Sequence, residues 1–215
     1  MMMVLSGMSS LEQMKDNLSY MKDFQPLNDA EMAAVHQVVE EFRKMNEEAK
    51  ACGIQVVAEL DTPGHSAAYT KYVHDHQEEV IKSLVKYGYL KAADYLNADG
   101  NVKQGASFYI HNPGNWELLA LDDQSSNAQI RQNAINARIF MKALFDEYLG
   151  GIDGIDAVFD AKNVNAGVDE YWDRTDANKE AFRRYMNEMY SYLHDKYDVE
   201  VEMWGAMEVL KGNTK

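Results

Sequence analysis

The segment Ile54–His65 (IQVVAELDTPGH) decides how the rest of the sequence is interpreted. Its first part, Ile54–Leu60, is mostly apolar and rich in β-branched side chains, which predicts a buried strand. This strand runs directly into Asp61 and the turn residues Pro63-Gly64 before reaching His65. Ionisable side chains at the carboxyl end of a buried strand are typical of the ligand-binding face of a parallel α/β fold.

Two later segments repeat this arrangement. Lys162–Gly167 predicts a second strand, which leads into Val168-Asp169-Glu170-Tyr171-Trp172. Val199–Trp204 predicts a third strand that closes on Gly205. The carboxyl ends of parallel strands lie at one edge of a sheet, so one group of side chains is expected to gather there: Asp61, His65, Asp169, Glu170 and Trp204.

Helices separate the predicted strands, so the fold class is α/β with a parallel sheet. One helix is capped at Asn28 or Asp29 and ends at Gly53, and others lie within 66–97, over 127–149 and over 177–197. Residues 98–126 predict a long connection with a turn at Asn112–Asn115, and residues 9–24 a weak helix. Helical spacing predicts the buried faces: Met32, Val35, Val39, Phe42, Met45 and Ala49; Ile130, Ala134, Ala137, Met141, Leu144 and Phe145; Phe182, Tyr185, Met189 and Leu193.

Composition excludes several classes of function. Asp and Glu outnumber Lys and Arg by 35 to 21, and no Lys/Arg cluster stands out, so nucleic acid is not an expected partner. The one cysteine, Cys52, falls on the apolar stripe of a predicted helix and is expected to be buried. His74 and His76 lie two residues apart, where a helix does not bring them to one face, and we expect neither a metal nor another cofactor.

The sequence contains no segment that predicts a membrane helix. Residues Met1–Met8 lack the basic start and long apolar run of a signal peptide. The compartment is therefore left open, with a secreted or cell-surface bacterial parent protein as one option.

The adjacent acids Asp169 and Glu170 form the main catalytic candidate. Two carboxyls held close together do not both ionise easily, so one stays a proton donor while the other is an anion. Consecutive side chains of a strand point to opposite faces, and the two acids can share a site only if the strand ends or bulges before Asp169. Gly167 permits that departure. An acid pair is more often a solvated surface feature, and its position after an apolar strand is what favours catalysis.

Three motifs carry a resemblance to a known family. Glu59-Leu60-Asp61-Thr62-Pro63-Gly64-His65-Ser66 closely resembles the glutamate-hydrophobic-aspartate-x-proline-glycine-histidine signature of family 20 glycoside hydrolases. Val164–Tyr171 resembles the strand of that family that ends in glycine, a small residue, aspartate and glutamate, although Asn165 stands where histidine is expected. Met203-Trp204-Gly205 resembles the next strand, and the likeness covers about residues 27–205.

The resemblance implies a hydrolase that removes terminal, non-reducing β-linked N-acetylhexosamine (GlcNAc or GalNAc) from a glycan partner. Glu170 is then the general acid, while the substrate's own 2-acetamido oxygen attacks the anomeric carbon. Asp169 orients the acetamido group and stabilises its positive charge. His65, Trp204 and Tyr171 are the implied substrate-binding residues, and Asp61 supports hydrogen bonds around the acid.

The resemblance also implies a (β/α)8 TIM barrel, which has eight strands and about 250 residues. Three strong strands are predicted here, so residues 27–215 are expected to form a partial barrel of central strands and helices, preceded by a helical lead-in over 1–26. Because its sheet edges lack partners, the isolated chain is expected to self-associate or to need the remaining barrel segments. Two alternatives stay open: a catalytically incompetent fragment or carbohydrate-interaction module, and a glycosidase with a carboxylate nucleophile such as Asp61.

Overall fold

A computed structural model describes residues 28–154, 157, 159, 162–168, 171 and 176–204. This part of the chain is mixed α/β and contains six helices and five short strands. In chain order they are α1 (Asp29–Ala51), β1 (Ala58–Glu59), α2 (Ala67–Asp75), α3 (Gln77–Lys86), α4 (Ala92–Tyr95), β2 (His111–Asn112), β3 (Asn115–Leu119), α5 (Ala128–Gly150), β4 (Asn163–Asn165), α6 (Asp176–Tyr197) and β5 (Glu200–Glu202). The chain divides into two compact units, residues 1–45 and 46–215.

The described part of the first unit is the start of α1. Asn28 caps this helix: its Oδ1 accepts hydrogen bonds from the amides of Ala30 and Glu31, at 3.0 and 3.1 Å. The Glu31 carboxylate accepts from the Asn28 amide in return, at 2.8 Å, which completes a capping box. Of the two predicted caps, Asn28 and Asp29, the helix uses Asn28. The predicted lead-in, residues 1–26, lies outside the described residues.

The predicted burial of the apolar face of α1 is wrong, since no side chain of this helix is buried and Met45 is 50% exposed. Helical spacing shows which face is apolar, but not whether another element covers it.

The second unit begins with the end of α1 and the approach to the sheet. Cys52 lies one residue beyond the helix and is exposed, so the predicted burial of its thiol is wrong. Gly53 has a φ of 74°, and the Ile54 amide still donates to the Ala49 carbonyl at 2.8 Å. The chain therefore joins the sheet only at Ala58, and Ile54, predicted as buried strand, is 61% exposed.

The main sheet has three parallel strands in the order β1-β4-β5, which is also their order along the chain. Val164 pairs with Ala58 on one side and with Val201 on the other. Both Ala58 and Val164 are buried. The three predicted strands are thus parallel neighbours, although each is shorter than its sequence pattern indicated. The described residues form no closed barrel.

The predicted connection 98–126 contains an antiparallel hairpin, β2–β3, that the sequence did not predict. Its turn is the predicted one: Asn112 pairs with Asn115 across Pro113-Gly114, and Gly114 has a φ of 87°. The predicted irregular helical region resolves into α2, α3 and α4. Across the described residues, no helix combines the length and the apolarity that crossing a bilayer requires.

Helices α5 and α6 supply much of the core. The predicted α6 face, Phe182, Tyr185, Met189 and Leu193, is at most 1% exposed. Of the predicted α5 face, Ala134, Ala137, Met141 and Phe145 are at most 2% exposed, whereas Ile130 and Leu144 are only half-buried. Between the two helices, Arg138 is 5% exposed and donates to the Glu188 carboxylate at 2.8 Å. Its charge is therefore buried with a partner, as a buried guanidinium requires.

A carboxylate near the end of α5 accepts hydrogen bonds from three tyrosines. Asp146, 8% exposed, accepts hydrogen bonds from the hydroxyls of Tyr89, Tyr192 and Tyr197, and it pairs with Lys196 at 2.8 Å. Burial disfavours the charged carboxylate, but the hydrogen bonds from Lys196 and the tyrosines outweigh it and hold the pKa of Asp146 below its usual value. The cluster joins α6 to the end of α5 and to the segment after α3.

Replacing Asp146 with asparagine is expected to lower the free energy of unfolding at pH 7 by about 2 kcal/mol, because charge-assisted hydrogen bonds are lost. The folded pKa lies below the usual value of 3.8, so this stabilisation is present above that pH and is lost as the pH falls through the folded pKa. Urea unfolding should therefore separate variant and wild type at pH 7 and bring them together in strong acid.

The matched control for that substitution is Asp195→Asn, since the Asp195 side chain is 79% exposed and pairs with the adjacent His194. It should leave the unfolding midpoint nearly unchanged. A D146N protein that unfolds at the wild-type urea concentration at pH 7 would show that the tyrosine cluster does not stabilise the fold.

Candidate functional site

The carboxyl ends of the three parallel strands lie side by side. Beyond β1 the Leu60 and Thr62 amides donate to the carbonyls of Asn165 and Ala166, both at 3.0 Å. Beyond β5 the Trp204 amide donates to the Gly167 carbonyl at 2.8 Å. These bonds extend the sheet past its regular strands and bring the Asp61 and Trp204 positions to one edge, with the end of β4 between them.

The acids Asp169 and Glu170 lie outside the described residues, but the chain that leads to them is described up to Val168. Gly167 and Val168 have φ values of 68° and 75°, so the extended backbone of β4 has ended before position 169. The Asn165 side chain assists this departure, because its Oδ1 accepts the Gly167 amide at 2.8 Å. The end of the strand before Asp169, which a shared acid pair requires, is therefore present.

Val168 is an unusual residue for the conformation it adopts. It is β-branched and 1% exposed, yet it has a left-handed backbone. Such a conformation costs about 1–3 kcal/mol and persists only where surrounding packing enforces it; outliers of this kind cluster at functional sites.

Gly167 lies against Asp61 where the ends of β1 and β4 meet. A Cβ atom at position 167 would lie 1.9 Å from Oδ1 of Asp61 and 2.9 Å from its Cα. Both distances are far below van der Waals contact, and the second involves backbone. Asp61 therefore fills the space that a side chain at position 167 would take, and the predicted supporting residue lies directly against the turn before Asp169.

The loop that follows β1 is mostly buried, and Asp61 in it is half-buried. Thr62, Pro63, Gly64 and Ser66 are all buried, whereas His65 is exposed and has a φ of 48°. The peptide bond between Thr62 and Pro63 is cis. His65 is the exposed side chain of this loop, and it lies at the edge of the sheet where a ligand could reach it.

Hydrogen bonds from several elements hold this loop in place. The Ser66 hydroxyl lies within hydrogen-bonding distance of the Pro63 and Gly64 carbonyls, at 3.0 and 2.9 Å. The β2–β3 hairpin adds two main-chain bonds, from the Leu119 amide to the Pro63 carbonyl at 3.1 Å and from the Ser66 amide to the Glu117 carbonyl at 3.0 Å.

The Tyr185 hydroxyl of α6 anchors the same loop through a hydrogen bond with the Thr62 hydroxyl. Tyr185 is fully buried, and burial raises the pKa of its phenol, so the hydroxyl keeps its proton at neutral pH. The Arg138 guanidinium lies 5.5 Å from the Tyr185 ring. The sequence predicted Tyr185 only as a core residue, since helical spacing reports burial but not a hydroxyl contact with a loop 123 positions away.

Trp204 is 54% exposed at the end of the third strand, and its indole Nε1 donates to Oε2 of Glu59 at 3.2 Å. Glu59 itself is exposed, and its carboxylate is paired with this indole. A partly exposed indole with an oriented ring can provide an apolar wall for a ligand.

Tyr171 is 7% exposed, and its ring stacks on Phe182 of α6 with centroids 5.0 Å apart. The described contact of Tyr171 is thus with the core, and a substrate contact stays a prediction. Among the described residues no group of three or more His, Cys, Asp or Glu side chains could hold a metal ion.

Gly167→Ala tests the contact with Asp61. A left-handed alanine costs about 1–2 kcal/mol by itself. The clash with the Asp61 backbone should add to that, so the free energy of unfolding should fall clearly further, as measured by urea unfolding.

Gly100→Ala is the matched control, because Gly100 has a similar φ of 78° but no atom within 4 Å of its Cβ position. It should lose only the backbone term. Equal losses in the two variants would show that Asp61 does not constrain position 167.

In comparisons with known proteins, no protein-family model matches the sequence, and no curated protein matches it.

Proposed function

We propose that this chain carries the catalytic edge of a β-N-acetylhexosaminidase similar to family 20 glycoside hydrolases, which releases terminal β-linked N-acetylhexosamine from glycans. One observation supports this most strongly. The Asp61–His65 loop, the turn that leads to Asp169-Glu170, and Trp204 follow three neighbouring parallel strands at the same edge. These are the three motifs that carry the sequence resemblance.

We also propose that the sheet is the central part of a (β/α)8 barrel. In such a barrel each strand pairs in parallel with the next strand along the chain, and helices connect them. The order β1-β4-β5 follows the chain, α5 precedes β4, and α6 connects β4 to β5. This pattern supports the proposal, with β1 and β5 as the outer strands of the described sheet.

Glu170 acts as the general acid in the proposed reaction. Its carboxyl proton moves to the glycosidic oxygen as the bond from that oxygen to the anomeric carbon breaks. The substrate's acetamido oxygen forms a bond to the same carbon and gives an oxazolinium ion. Water then attacks the anomeric carbon, Glu170 takes the proton of that water, and the ring opens with net retention.

Asp169 orients the acetamido N–H and balances the positive charge of the oxazolinium ion. The backbone geometry at Gly167 and Val168 is what allows two consecutive acids to serve one site, since a regular strand would point them to opposite faces. His65 and Trp204 contact the sugar, and Asp61 packs against Gly167 and supports the turn before Asp169.

The packing of Asp61 argues against the conventional mechanism in which it would be the nucleophile. Its Oδ1 lies against the Cα of Gly167, where a Cβ atom would come within 1.9 Å. A carboxylate packed beneath the backbone is suited to holding the turn, whereas a nucleophile needs an unobstructed approach to the anomeric carbon. The acetamido group of the substrate is therefore the nucleophile that we propose.

Glu170→Gln tests the acid assignment through the leaving group. Hydrolysis of N,N′-diacetylchitobiose should fall by about 10²–10⁴-fold, because its alkoxide needs a proton to depart. The 4-nitrophenyl N-acetylglucosaminide should be largely spared, since its phenolate departs unaided. Initial rates on the two substrates provide the measurement.

The control is Glu78→Gln on α3, whose carboxylate is 66% exposed and pairs with Lys82. It should leave both rates unchanged. An equal loss on both substrates in E170Q would remove Glu170 from the acid role, and a wild-type chain that binds chitobiose without cleaving it would favour a carbohydrate-interaction module instead.

A further inference from the structure

Four aromatic and imidazole rings gather where the β2–β3 hairpin meets α2. Trp116 is 42% exposed and stacks on His111, with ring centroids 4.0 Å apart and planes 17° apart. His74 meets the Trp116 ring edge-on at 4.7 Å. Tyr109 lies 5.7 Å from each histidine ring. We refer to Trp116, His111, His74 and Tyr109 as the hairpin aromatic cluster.

Side-chain hydrogen bonds fix the backbone of Trp116, of His111 and of Tyr109, which lies two residues before β2. The Thr70 hydroxyl donates to the Trp116 carbonyl at 2.5 Å. From α5, the Asn133 and Asn136 amides donate to the carbonyls of His111 and Tyr109, at 3.0 and 3.1 Å. A surface whose rings are already held in place loses little conformational entropy when a ligand binds.

The cluster adjoins the loop that carries His65. The Ser66 amide donates to the Glu117 carbonyl, so the residues bonded together are the immediate chain neighbours of His65 and Trp116. His65 and Trp116 are both exposed. The hairpin lies beside the loop after β1, whereas Trp204 follows β5, two strands away in the sheet.

The chemistry of the cluster suits a sugar ring. Burial, with a smaller contribution from nearby His74, holds the pKa of His111 below its usual value of 6.5, so its ring stacks on Trp116 as a neutral group at pH 7. The neighbouring side chains Asn115 and Glu117 are polar and exposed. Trp116 is the exposed apolar ring of the cluster, and polar groups surround it. This arrangement differs from the contiguous apolar patch of a protein interface and matches a pyranose, which has an apolar C–H face and a rim of hydroxyls.

We propose that the hairpin aromatic cluster binds a pyranose ring of the glycan next to the residue that is cleaved, on the leaving-group side. This assignment rests on the proposed function, in which Trp204 contacts the N-acetylhexosamine and the next sugar extends past His65 towards the hairpin. Trp116 is the main contact, and His111 and His74 hold its ring.

The test is a binding titration that does not depend on turnover. The probes are N-acetylglucosamine and a thio-linked N,N′-diacetylchitobiose, whose sulfur bridge resists hydrolysis, and the measurement is isothermal titration calorimetry. Wild type should bind the disaccharide more tightly than the monosaccharide. Trp116→Ala should weaken disaccharide binding about tenfold, in line with the loss of one aromatic contact, and leave monosaccharide binding unchanged.

Two further variants keep the test independent of folding. Trp116→Phe retains a ring and should keep most of the disaccharide affinity, whereas Tyr190→Ala removes a ring that is 43% exposed on α6 and should change neither affinity. Urea unfolding checks each variant.

The proposal is overturned if W116A binds the disaccharide as wild type does, or if wild type binds disaccharide and monosaccharide equally or not at all. Binding that depends on Trp116 in a chain that never hydrolyses chitobiose would contradict the proposed hydrolase and leave the cluster as a sugar-binding surface. Chitobiose hydrolysis at the same rate in wild type and W116A would instead contradict the proposed sugar-binding cluster and leave the proposed hydrolase in place.

Discussion

Asp61 fills the space that any side chain at position 167 would need, and this contact determines how the ends of β1 and β4 meet. A glycine can occupy that position, and a glycine also adopts the left-handed backbone that the chain has there. Beyond β4, the chain therefore turns aside after Ala166 through two left-handed residues, Gly167 and Val168, immediately before position 169. The direction in which the chain leaves the sheet at Gly167 and Val168 depends on this contact.

A second set of interactions holds Asp61 and the loop after it in place. The loop that follows Asp61 is bonded to α6 through Thr62 and Tyr185 and to the β2–β3 hairpin through Pro63 and Ser66. Helix α5 contributes two sets of contacts. Asn133 and Asn136 donate hydrogen bonds to the backbone in and before the hairpin, and Asp146 accepts hydrogen bonds from Tyr192 and Tyr197 of α6. Buried polar groups with satisfied partners favour one arrangement over its alternatives, and here that arrangement positions His65.

Much of this architecture could be predicted because it depends on local periodicity. The buried face of α6, the cap at Asn28 and the turn at Gly114 follow from spacing and residue type alone. The predicted strand around Ala58 is present but is shorter than its sequence pattern indicated, since the Ile54 amide remains bonded to the helix before it. Burial of α1 failed because an apolar stripe does not specify its cover.

The features that could not be predicted depend on contacts between distant parts of the chain. The hairpin has a two-residue strand and an irregular register, which leave no alternating pattern to detect. Its aromatic cluster combines rings from α2 and from the hairpin, and Tyr185 reaches Thr62 across 123 positions. Gly167 indicated that the strand could turn aside, whereas the left-handed Val168 contradicts the preference of a β-branched residue and is imposed by its surroundings.

In the reaction that we propose, the nucleophile belongs to the substrate, and Asp169 and Glu170 act on it from one site. The most direct measurement compares the rates at which the chain hydrolyses two 4-nitrophenyl β-glucosides, one with a 2-acetamido group and one with a 2-hydroxyl. We expect turnover of the acetamido compound and almost none of the hydroxyl compound, because only the first can form the oxazolinium ion. Comparable rates on both, or no turnover of the acetamido compound, would contradict it.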